Sequence, residues 1–129
     1  MSTDSYINVV KEGEIAPSPV RYDQFVKQLF KADTEEGMMI HAVLGISGES
    51  GELVDAVKKR VIYGKPLDIQ NVIEELGDMR FYMEALMNVL GISDREVLQA
   101  NANKLATRYK GLTYSDAAAI ARADKTGEN

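Results

Sequence analysis

The chain has 129 residues, 45% of them hydrophobic, with three prolines and no tryptophan. That suits a single compact, helix-favouring domain with a sizeable core. The formal net charge is −5 and no basic run exceeds Lys58-Lys59-Arg60, which argues against gripping a nucleic-acid duplex by its phosphates. The absence of cysteine excludes disulfides, a thiolate nucleophile and a zinc–thiolate site.

Asp4, Lys11, Glu12 and Glu14 stand where a secretory signal would be apolar, and no apolar run reaches membrane-spanning length. A soluble protein of the cytoplasm is therefore expected. Residues 1–17 carry the patch Tyr6-Ile7-Asn8-Val9-Val10. They are expected to form an extended or partly ordered arm, with a second subunit as the surface it would pack on. Residues 18–123 are expected to form the helical domain, and residues 124–129 a frayed tail. Ser18-Pro19 reads as an N-cap followed by proline at the first helical position. Tyr22, Phe25, Val26, Leu29 and Phe30 recur at helical spacing and give a first helix to about Lys31. Most of that stripe reads as core, with Tyr22 a candidate ring to stack on a ligand.

Thr34-Glu35-Glu36 opens a long second helix to about Tyr63, with Gly64 as its stop. Glycines 45, 48 and 51 each weaken it by about 1 kcal/mol relative to alanine, which implies close approach of another helix or of a ligand. Pro66 and Asp68 form the turn into a third helix, capped by Asp68 and ended by Gly91. In it Val72, Leu76, Met79, Met83, Leu86 and Leu90 step by four and three, the spacing of a bundle seam. Glu75, Asp78 and Tyr82 form a neighbouring stripe. Ser93-Asp94-Arg95-Glu96 is a capping box for a fourth helix, on which Asn101, Lys104 and Arg108 share one face. Ser115 caps a short alanine-rich turn.

The chemistry concentrates in two carboxylate pairs at i, i+3: Glu49 with Glu52, and Glu75 with Asp78. Positions three apart share a helix face, so two such pairs on facing helices bring four acids into one cleft. Acids that close repel unless cations lie between them, and the neighbouring residues are apolar or glycine rather than basic. The pattern reads as a magnesium site.

These residues resemble the MazG-like, all-α nucleoside triphosphate pyrophosphohydrolases. The likeness covers about Leu44 to Tyr109. It rests on Gly45-Ile46-Ser47-Gly48-Glu49-Ser50-Gly51-Glu52-Leu53, on Glu74-Glu75-Leu76-Gly77-Asp78, and on Asn101-Ala102-Asn103-Lys104 with Arg108-Tyr109. The resemblance implies a four- to five-helix antiparallel bundle that associates as a homodimer or homotetramer. It also implies Glu49, Glu52, Glu75 and Asp78 as ligands of Mg²⁺, or of Mn²⁺ in its place. Glu49 or Glu52 would take the proton of the attacking water. Lys104 and Arg108 would face the phosphates, with Asn101 and Tyr109 framing the nucleotide. Lys110 departs from the proline that many relatives carry there, leaving the exit of the fourth helix open. Lys59 is the member of the basic run taken as a phosphate contact. His41 has either a structural role or one lining the nucleoside pocket with Tyr22.

The expected activity is conversion of a (deoxy)nucleoside triphosphate to the monophosphate and pyrophosphate. The likeness to compact, phage-type members tilts the base towards purine, dGTP included, and would place a phage-encoded copy in the host cytoplasm. A dUTP or dCTP pyrophosphatase of the same fold is the alternative within the class. A non-catalytic, partner-binding helical module is the alternative outside it, although one freed of catalysis would have no reason to keep all four acids.

Overall fold

In a computed structural model that describes residues 5–125, the chain opens as an antiparallel hairpin. Tyr6–Val9 (β1) pairs with Ser18–Arg21 (β2), Tyr6 opposite Arg21 and Val9 opposite Ser18. Ser18-Pro19 is therefore strand, which corrects the helix start expected there. Proline lacks a ladder donor, but in a two-stranded sheet each strand has a free outer edge where none is needed. The Tyr22 N–H donates to the Ser5 carbonyl at 2.8 Å, so the last hairpin contact passes straight into the first helix.

That helix is Tyr22–Leu29 (α1), followed by Glu35–Val61 (α2) and Ile69–Leu90 (α3). The caps are those the sequence announces. The Thr34 hydroxyl accepts from Gly37 N–H and the Asp68 carboxylate from Asn71 N–H, while Gly91 ends α3 at φ 68°. Val26, Phe30, Ala42 and Ala85 are buried at the centre, with Tyr22, Phe25, Met38, Phe81, Tyr82 and Leu86 packed on them. The seam expected on α3 is buried only in part: Leu86 packs on the core, Leu76, Met83 and Leu90 are exposed, and Phe81, Tyr82 and Ala85 also turn inward. Aromatic rings from α1 fill that side, so the packing follows ring volume rather than the leucine–methionine repeat.

Among the described residues the chain divides into two compact units, 5–92 and 93–125. The second contains Asp94–Arg108 (α4) and Asp116–Ala121 (α5). The capping box forms in full: the Ser93 hydroxyl accepts from Glu96 N–H, and Ser93 N–H donates to the Glu96 carboxylate. After α4 a 3₁₀ turn at Lys110–Leu112 carries Gly111 at φ 79°, which settles the exit that Lys110 left open. Ser115 caps α5. The tail is not frayed from its start: Asp124 lies in a 3₁₀ turn, Ala123–Lys125, and holds Arg108, whereas residues 126–129 lie outside the described residues. Among the described residues, no helix is long and apolar enough to cross a membrane.

Candidate metal centre

Helices α2 and α3 run antiparallel, and three contacts fix their register. Gly45 meets Tyr82, Glu49 meets Glu75, and Ala56 shares a cavity wall with Asp68 and Asn71. The first contact explains one of the three helical glycines. A Cβ at Gly45 would fall inside the Tyr82 ring, while at Gly48 and Gly51 it would meet nothing within 4 Å. Of these three glycines, close approach among the described residues concerns only Gly45.

One step along the register, Glu49, Glu75 and Asp78 each offer a carboxylate oxygen, all within 4.8 Å of one another. The two i, i+3 pairs were expected to contribute four acids; three converge. Glu52 is exposed and stands one turn further along α2, outside the group. Within the group Glu75 holds its proton above the ordinary glutamate range. Its side-chain hydrogen bond with Glu49 is the largest cause, then burial, then the negative charges of Glu49, Asp78 and Glu74. Carboxyl groups this close together mark a place where negative charge lacks compensation. A divalent cation fits such an all-oxygen donor set, since hard cations take carboxylate oxygens.

Aromatic side chains border the group. Phe30 lies 4.9 Å from the exposed His41 ring and 6.4 Å from Tyr82, and His41 lies 5.8 Å from Tyr82. His41 therefore packs on aromatic faces and also reaches the surface. Tyr22 is half-buried. Burial is the main cause that pushes its phenol pKa up; the Arg80 guanidinium opposes this, while Glu84 and Asp78 reinforce it. So Tyr22 and Asp78 are electrostatic neighbours.

Two residues near this site were not singled out in the sequence. Glu84 is buried, with its carboxylate 3.6 Å from Arg80, and the Arg80 guanidinium lies 5.9 Å from the Tyr22 ring. Their i, i+4 spacing, with an acid inside the apolar run Met83 to Met87, was the available signal.

The cations expected at the phosphates are placed as follows. Lys59 pairs with Asp55 at 3.3 Å on an exposed face. Asn101 and Lys104 are exposed on α4. Arg108 grips Asp124 with two hydrogen bonds, Nε to Oδ1 at 2.8 Å and Nη2 to Oδ2 at 3.3 Å, and Tyr109 stacks obliquely on Tyr114 at 5.1 Å.

The family model for the MazG nucleotide pyrophosphohydrolase domain matches residues 39–113. That span is more than half of the chain and contains both carboxylate pairs, the Tyr82 contact and all of α4. The chain belongs to this family and is a nucleoside triphosphate pyrophosphohydrolase, a hydrolase acting on acid anhydrides. Neither a curated protein nor a solved structure shows a significant match to it.

Proposed function

We propose that the chain cleaves the α,β-anhydride of a nucleoside triphosphate with Mg²⁺ as cofactor, releasing the monophosphate and pyrophosphate. The carrying observation is the convergence of Glu49, Glu75 and Asp78 to within 4.8 Å. These three would hold the cation, with Glu52 as the fourth carboxylate one turn along α2. A bound divalent cation supplies charge compensation for the polyphosphate and Lewis acidity at phosphorus. Glu49 or Glu52 takes the proton as water oxygen adds to phosphorus. The anhydride P–O bond then breaks and its electron pair leaves on the departing group. The exposed His41 ring beside Tyr82 is the surface offered to the nucleoside, with Tyr22, the electrostatic neighbour of Asp78, as a further ring, since aromatic faces stack on bases.

A purine deoxynucleotide such as dGTP is the proposed substrate, supported by the likeness to compact family members. Action in the cytoplasm as a homodimer or homotetramer accompanies that reading. The exposed Val54, Val57, Val61, Leu76 and Leu90 on α2 and α3 support association. Incubation with each nucleoside triphosphate and Mg²⁺, read by pyrophosphate release, tests the proposal. Release from dGTP ahead of dUTP and dCTP supports it. Preference for a pyrimidine overturns the base assignment, and no release with any divalent metal overturns the reaction.

A further inference from the structure

The α2–α3 turn builds a polar cavity in line with the carboxylates. Gly64, at φ +67°, reverses the chain after α2, and Lys65 N–H donates to the Lys59 carbonyl at 3.1 Å. That bond brings two lysines to one mouth. The resulting cavity, about 270 Å³, is lined by Ala56, Lys59, Lys65, Pro66, Asp68 and Asn71.

Its lining carries two lysines against the single carboxylate of Asp68. The Asp68 carboxylate is engaged by Asn71 N–H at 3.1 Å. Lys59 pairs with Asp55, but both side chains are more than half exposed, and such pairs exchange readily because they contribute little. Among the described residues Lys65 has no carboxylate partner.

Its position follows from the helix register. Glu49 faces Glu75, and Ala56 lies at the cavity with Asn71. At about 1.5 Å per residue, the cavity wall on α3 begins about 6 Å beyond Glu75. The aromatic shelf of His41 and Tyr82 lies on the opposite side of the carboxylates, by the Gly45 contact. Along one helix pair the order is therefore rings, acids, lysines. That is the order of a nucleotide laid lengthwise: base, inner phosphates, outer phosphates.

Resting on the pyrophosphohydrolase reading, we propose that the Lys59–Lys65–Asn71 cavity binds the outer two phosphoryl groups of the substrate, the part that leaves as pyrophosphate. Lysine ammonium groups on flexible stems suit a phosphate that must first be held and then released. The Asn71 amide adds a neutral donor. The arrangement also fixes polarity: the nucleoside points along α2 towards Gly45, and the leaving group towards Gly64.

The test uses inorganic pyrophosphate and a nucleoside monophosphate as separate probes on the full chain, both with diamagnetic Mg²⁺ present. In the wild type, pyrophosphate should shift the amide resonances of Lys65 and Asn71. Lys65→Ala should weaken pyrophosphate binding roughly tenfold, the loss of one charge-assisted contact, and leave the monophosphate constant unchanged. Lys65→Arg should keep most of the affinity, and Lys65 is exposed, so neither change threatens folding. Unchanged pyrophosphate binding in Lys65→Ala, or equal weakening of both probes, overturns the proposal. Pyrophosphate binding at these amides with no nucleotide hydrolysed would uphold the cavity and reject the enzymatic reading. Hydrolysis with unaltered pyrophosphate binding in the variant would do the reverse.

Discussion

The Tyr82 ring lies against the backbone of Gly45 so closely that no Cβ fits between them. Gly45→Ala is therefore expected to destabilise the fold by about 1–3 kcal/mol as Tyr82 and its neighbours His41 and Phe30 shift. Gly48→Ala and Gly51→Ala meet open space and should stabilise the helix, by up to about 1 kcal/mol each. Thermal or urea unfolding of the three variants checks the contrast. A Gly45→Ala protein as stable as the wild type would show that the ring is not tightly seated.

Removal of metal is expected to lower stability, because a ligand that binds only the folded state adds about 2.7 kcal/mol at a hundred times its dissociation constant. Isothermal titration with Mn²⁺ should show a loss of at least roughly tenfold for Asp78→Asn and Glu75→Gln, which remove charge from the converging group. Glu52→Gln should lose less in metal affinity, since Glu52 stands outside that group. Equal losses at all three positions would mean that Glu52 swings in as a full ligand.

Much of this arrangement is legible in the residues themselves. Thr34, Asp68, Ser93 and Ser115 announce helix starts because a short side-chain oxygen beside an acidic or apolar run has one economical use, and all four act as caps. The i, i+3 acids announce a shared helix face, and the facing helices bring three together. What escapes is whatever depends on a partner distant in sequence. Ser18-Pro19 matches a helix start, yet Asn8 and Val9 pair with it as strand. The leucine–methionine repeat of α3 matches a seam, but aromatic rings of α1 claim the adjacent face. Glu84 is not singled out by the sequence because burial is a tertiary property. Lys65 is not singled out by the sequence either, because its meeting with Lys59 depends on one left-handed glycine.

Asp68 closes the start of the helix that carries Glu75 and Asp78, accepting from Asn71 N–H at 3.1 Å. Asp68→Ala should lower stability by about 1 kcal/mol, the usual cost of losing such a cap. Asp68→Asn should recover most of it, because the amide oxygen still accepts. Chemical denaturation distinguishes the two, and equal losses would show that the carboxylate charge rather than the cap matters.

Arg108 and Asp124 tie the end of α4 to the last described turn, and this tie is expected to depend on pH in one direction only. The hydrogen bonds from Arg108 are the main cause that holds the Asp124 carboxyl below the ordinary aspartate range; burial opposes them, and the Arg108 charge adds to them. In that range the folded chain binds fewer protons than the unfolded one, so stability rises with pH there. The contribution is complete above the ordinary aspartate value and is lost as pH falls through the lowered folded value. Hydrogen exchange should show residues 116–125 protected at neutral pH and opening in acid. Asp124→Asn keeps an acceptor but no charge, so it should show weaker protection at neutral pH and little further loss in acid. Arg108 then has no ionised partner to lose. If Asp124→Asn shows the same acid-dependent opening as the wild type, another carboxylate governs this segment.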